Sequence, residues 1–152
     1  MRTCRKFVFL AGLLCCLAAA AQSRPNFTGI WKLDAQRSNM PSSSANSVVL
    51  YIHQNDPDFH VRRTETQHGK STAWSAHGHT DGTMVEMKSH DGVKRTHMYW
   101  QGSELVLEVK SDGHRGASHT VMRYQLADDG HTLIAQEDDN NHQIKWVFTK
   151  SG

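Results

Sequence analysis

From residue 28 onward, short runs of alternating apolar and polar residues are broken by clusters of Gly, Asp, Asn and Ser at intervals of roughly 8 to 12 residues. That spacing is the signature of an all-β chain. It predicts strands over 28–34, 47–54, 58–66, 70–78, 82–88, 92–101, 103–110, 117–127, 131–138 and 142–149. The joins carry the residues that tight turns require: Asn55-Asp56-Pro57-Asp58, Gln67-His68-Gly69, Asp81-Gly82, Asp91-Gly92, Gln101-Gly102, Asp112-Gly113, Asp129-Gly130 and Asn140-Asn141. Consecutive hairpins of this kind make an up-and-down meander.

A side-chain period of two allows one face of a strand to be named from sequence alone. Leu105, Leu107 and Val109 share a face, as do Met122, Tyr124 and Leu126, and again Ile144, Trp146 and Phe148. The opposite faces carry Glu104, Glu108 and Lys110, then His119, Arg123 and Gln125, then Gln143, Lys145 and Thr149. Strands of this type are buried on one side only. Closing the sheet on itself removes exposed edges, so the expected fold is a single antiparallel up-and-down β-barrel of about 8–10 strands. No segment has the period of a long amphipathic helix. Gln36 to Ser47, with Pro41 and Ser42-Ser43-Ser44, reads as a solvated connector or a mobile lid.

Residues 1–21 have the three parts of a secretory signal: basic Arg2, Arg5 and Lys6, an apolar run from Phe7 to Leu17, and a small-residue end at Ala18 to Ala21. The expected organisation is therefore a signal over 1–21 and one barrel domain over 22–152, exported to the periplasm or outside the cell. The apolar run is shorter than the roughly 20 residues a spanning helix needs, so stable membrane insertion is not expected. All three cysteines (Cys4, Cys15, Cys16) fall in this segment, which leaves the domain without disulfide, thiolate ligand or cysteine nucleophile. Three of the 17 basic residues and none of the 15 acidic ones lie there too. The domain keeps 14 against 15, a net charge of −1 in place of +2. Nucleic acid as a partner has no electrostatic support.

Asn26-Phe27-Thr28-Gly29-Ile30-Trp31-Lys32-Leu33-Asp34 resembles the opening of calycin barrels, in which a Gly-x-Trp on the first strand closes one end. Phe-x-Gly-x-Trp-Lys-Leu is similar to the start of intracellular fatty-acid-binding proteins, and the whole segment to small exported bacterial lipocalin-like proteins. Physically, Trp31 can fill a narrow barrel end while Gly29 admits a neighbouring chain. Trp100-Gln101-Gly102-Ser103-Glu104-Leu105, Thr120 to Tyr124 and Lys145 to Lys150 resemble a hairpin, a following strand and the closing strand of the same family. Two departures matter. The 36–47 segment has no room for a helix-turn-helix lid, and the family's Arg-x-Tyr carboxylate clamp falls on Trp146 and Phe148, which removes the charge and hydroxyl that hold a fatty-acid head. Arg123 is an alternative anion anchor if it points inward.

Eleven histidines invite a metal reading, with His77 and His79 the densest pair, one Gly apart. Scattered surface histidines explain the same count. There is no Gly-x-Ser-x-Gly, no His-Glu-x-x-His and no glycine-rich phosphate loop, so neither a catalytic residue nor a cofactor is implied. Glu137-Asp138-Asp139 lacks the spacing of a calcium loop and reads as a hairpin tip. The remaining informative group is apolar. Trp74, Met87, Met98, Tyr124, Trp146 and Phe148, with Arg123, are the candidate ligand-binding residues, and Gly29 and Trp31 the candidates for barrel closure. Three functions stay open: a carrier of a small apolar ligand, a barrel enzyme using pocket histidines, and an interaction protein with a filled barrel.

Overall fold

The computed structural model describes residues 24–40, 47–113, 116–139 and 142–151. The signal expected over 1–21, residues 41–46 of the connector and the Asn140-Asn141 tip lie outside the described residues.

Among the described residues ten strands follow one another: β1 Gly29–Leu33, β2 Ser47–Asn55, β3 Asp58–Gln67, β4 Lys70–His79, β5 Val85–Ser89, β6 Gly92–Gln101, β7 Glu104–Gly113, β8 Gly116–Leu126, β9 Thr132–Asp139 and β10 His142–Ser151. They form one antiparallel sheet in the order β4-β3-β2-β1-β10-β9-β8-β7-β6-β5. Chain neighbours pair throughout except β4 with β5, and β1 pairs with both β2 and β10. The result is an all-β, nearly closed barrel of the calycin type with a seam beside β4. β5 starts three residues later than the alternation predicts, because Asp81 Oδ1 accepts the Thr83 amide at 2.9 Å and Gly82 adopts a φ of +91°. Those residues make a turn in place of strand.

At the seam, β4 lies across the inward side of β6. A Cβ on Gly78 would sit 2.9 Å from Met98 Sδ and 3.1 Å from Thr96 Cγ2, so only glycine lets β4 come this close. The Lys94 ammonium completes the join by donating to the Ser75 carbonyl.

One end of the barrel is filled with aromatic rings. Trp31 and Phe27 are fully buried, and the Trp31 indole donates to the Phe27 carbonyl at 2.8 Å. Phe27 stacks on Trp100 at 5.9 Å, and both Phe27 and Phe59 tilt against Tyr124 at 6.2 and 6.1 Å. Gln54 pins the segment leading into β1 by accepting the Phe27 amide at 2.9 Å. At Gly29, φ is +152° and a Cβ would meet Lys150 Cε at 2.8 Å; the Lys150 ammonium lies 5.3 Å over the Trp31 ring. The close neighbour of Gly29 is thus a long side chain of β10.

The first part of the 36–47 connector is held down. Ser38 Oγ donates to the Asp34 carbonyl at 2.7 Å and accepts the Val147 amide at 2.8 Å, while the Asn39 amide donates to the Lys145 carbonyl at 2.8 Å. Residues 34–39 therefore run along β10, and Met40 packs against the core.

Candidate functional site

Above the aromatic end, the barrel interior holds a cavity of about 240 Å³. Trp74, Leu107, Val109 and Met122 form its apolar wall; Arg63, Glu65, Thr120 and Glu137 supply polar groups. Strand parity puts them there. Arg63 continues the inward series Phe59, Val61 on β3, and Glu137 continues Leu133, Ala135 on β9. Below Arg63, the crevice among Leu50, Met122, Tyr124, Ala135, Trp146 and Phe148 has no room for a water molecule. The cavity ends at Arg63.

Arg63 is a buried cation, 8% exposed. Its Nη1 donates to Glu137 Oε2 at 2.9 Å, its Nε lies 2.7 Å from Glu65 Oε1, and its guanidinium carbon stands 4.1 Å from the centre of the Trp146 ring. The Trp146 indole donates to the same Glu137 Oε2 at 2.8 Å. The Nε contact has ion-pair distance without hydrogen-bond alignment, and Nε is left without a hydrogen-bond partner among the described residues. A buried charge is tolerated only when paired and bonded, and Arg63 meets that requirement through two carboxylates and an aromatic face.

The expected ligand residues divide. Trp74 lines the cavity, half-buried, with the Lys94 ammonium 5.1 Å over its ring. Trp146, Phe148 and Tyr124 are buried beneath it. Burial pushes the Tyr124 phenol far above its usual range, with Arg63 opposing and Glu137 reinforcing the shift. Met98 is fully buried, but against Gly78 at the seam. Met87 is 54% exposed on the edge strand β5 and does not join the interior. Arg123 stands on the outer face, bound to Asp138 Oδ2 at 2.7 Å, because Met122 and Tyr124 on either side occupy the inward positions. Arg63 takes the inward place that Arg123 does not, and its guanidinium sits on the ring of Trp146. The sequence signal for it was the shared parity of Phe59, Val61 and Arg63.

His77 and His79 lie on the outer side of β4. Their rings are 5.7 Å apart, His79 Nδ1 is 3.2 Å from Asp58 Oδ1, and His77 Nε2 is 4.0 Å from the same oxygen. His60 is opposite His77 in register. Among the described residues, no three His, Cys, Asp or Glu side chains converge as metal ligands.

No family model matches the chain, and no curated protein matches its sequence. Solved structures do match its fold. The fluorescent protein UnaG superposes with a TM-score of 0.59 at 17% identity, covering 82% of this chain and 97% of that one. Secretory abundant heat soluble protein 4 from Ramazzottius varieornatus gives 0.55 at 12% identity, with 82% and 94% covered. The REP1-NXSQ fatty acid transporter gives 0.55 at 11%, with 82% and 96% covered. At these identities the likeness concerns architecture: the chain has the calycin-type barrel fold.

Proposed function

We propose that this protein is a non-catalytic carrier that holds one small apolar molecule in the upper half of its barrel. The observation that carries the reading is the cavity itself, an apolar wall of Trp74, Leu107, Val109 and Met122 over a floor ordered by Arg63, Glu137 and Trp146. Ligand sites combine apolar walls with a few fixed polar groups, and here four apolar side chains stand beside four polar ones. At about 240 Å³ the cavity falls slightly below the roughly 300–1,000 Å³ of typical ligand pockets. A short ligand, or one end of a longer one, fits that space. The fatty acid transporter among the fold neighbours is consistent with carriage of an apolar chain. Export is part of the proposal and rests on the signal-like segment over 1–21.

Titration with a panel of neutral apolar compounds, followed by tryptophan emission, tests the reading. Trp74 lines the cavity and Trp146 lies beneath its floor, so a bound ligand shifts or quenches emission saturably. Flat titrations across the whole panel would overturn it.

A further inference from the structure

The charges lining the cavity do not balance. Among the described residues, Arg63 is the one cation in the lining, and it faces two carboxylates, Glu65 and Glu137. Both carboxylates already lie against its guanidinium: Nη1 bonds Glu137 Oε2 at 2.9 Å and Nε stands at ion-pair distance, 2.7 Å, from Glu65 Oε1. Lys94 does not restore the balance, since its ammonium is held at the seam by the Ser75 carbonyl and the Trp74 ring. The acceptors, by contrast, are not all used. Glu137 Oε2 takes both the Arg63 and the Trp146 donors, and Oε1 has no hydrogen bond among the described residues.

A carboxylate entering this cavity brings a third negative charge beside two that already share the guanidinium, and these like charges repel. An ammonium or an amide N–H meets open carboxylate lone pairs instead. We infer that the cavity selects apolar ligands whose polar end donates hydrogen bonds, as a cationic amine or a neutral amide does, and rejects free carboxylates. This rests on the carrier reading above and names its ligand class.

The test is displacement of the neutral fluorophore N-phenyl-1-naphthylamine by octylamine, octanamide and octanoate, which share a chain and differ in head group. The amine and the amide displace the probe at concentrations about tenfold or more below octanoate. Glu65→Gln, which leaves the bonds among Arg63, Glu137 and Trp146 in place, narrows that gap, and Glu137→Gln narrows it further. Octanoate binding as tightly as octanamide, a ranking unchanged in Glu65→Gln, or a probe that binds but is displaced by none of the three would each overturn the inference. A probe that fails to bind at all strikes the carrier reading instead, so the two failures are distinct.

Discussion

The guanidinium of Arg63 stacks 4.1 Å above the ring of Trp146, and both side chains donate to one carboxylate oxygen, Glu137 Oε2. Three strands, β3, β9 and β10, are tied by that single atom. Removing one partner of a buried pair strands the other charge, a loss of about 3–5 kcal/mol. Arg63→Met therefore destabilises by that order in a denaturant titration. Arg63→Met combined with Glu137→Gln costs clearly less, because the more buried carboxylate is neutralised, only the more exposed Glu65 is left without its cation, and Gln still accepts from Trp146. A double variant as unstable as the sum of its singles contradicts the pairing.

Arg123 provides the contrast. It is about one-third exposed and paired with Asp138 on the outer face. Arg123→Ala changes stability by about 0–1 kcal/mol, the range of exposed ion pairs, and leaves ligand affinity unaltered. A loss of affinity in calorimetry would mean the side chain reaches the interior.

The difference between these two arginines marks how far the sequence could be read. Strand positions were legible because the period of two and the Gly, Asn and Asp turns act locally, within one hairpin. The inward face of β8 was legible too, and it already placed Arg123 opposite Met122 and Tyr124. What could not be read was that Arg63, at the end of the apolar series Phe59 and Val61, keeps an inward position by meeting Glu137, 74 residues away. The seam was likewise hidden. Gly78 reads as an ordinary strand glycine until β4 is seen to cross β6, and Met87 reads as interior until β5 is seen to be an edge strand.

Gly78→Ala brings a methyl group to within 2.9 Å of Met98 Sδ, in a region where Met98 is fully buried and has little room to give. Overpacking of this kind costs about 1–3 kcal/mol. Adding Met98→Val recovers part of the loss, measurable as a less-than-additive shift in the denaturation midpoint.

Two tryptophans at the filled end respond differently to loss of the indole nitrogen. Trp31 Nε1 donates to the Phe27 carbonyl, whereas Trp100 Nε1 is buried without a partner among the described residues. Trp31→Phe forfeits a hydrogen bond and leaves a buried acceptor, costing about 1–3 kcal/mol. Trp100→Phe removes a dissatisfied donor, so the lost ring area is partly offset and the melting temperature falls less.

Acid sensitivity has one local source in the turn between β8 and β9. Asp129 accepts the Thr132 hydroxyl at 2.7 Å and the His131 and Thr132 amides at 2.8 Å, and these bonds hold its carboxyl below the ordinary value of 3.8. The unfolded chain then binds its proton first as pH falls. The contribution is fully present above 3.8 and is lost as pH drops through the lower folded value. Asp129→Asn flattens this part of the acid limb in melting curves recorded against pH; an unchanged slope counts against the assignment.

With the upper cavity as the ligand site, filling it abolishes binding, and calorimetry of the wild type beside Leu107→Trp measures this. Leu107 is buried on the cavity wall, so the larger ring fills the space a ligand needs. The wild type binds N-phenyl-1-naphthylamine with a stoichiometry of one, and Leu107→Trp, folded by circular dichroism, does not bind it. Equal affinity in the folded variant, or binding that never saturates in the wild type, would place the ligand outside this cavity.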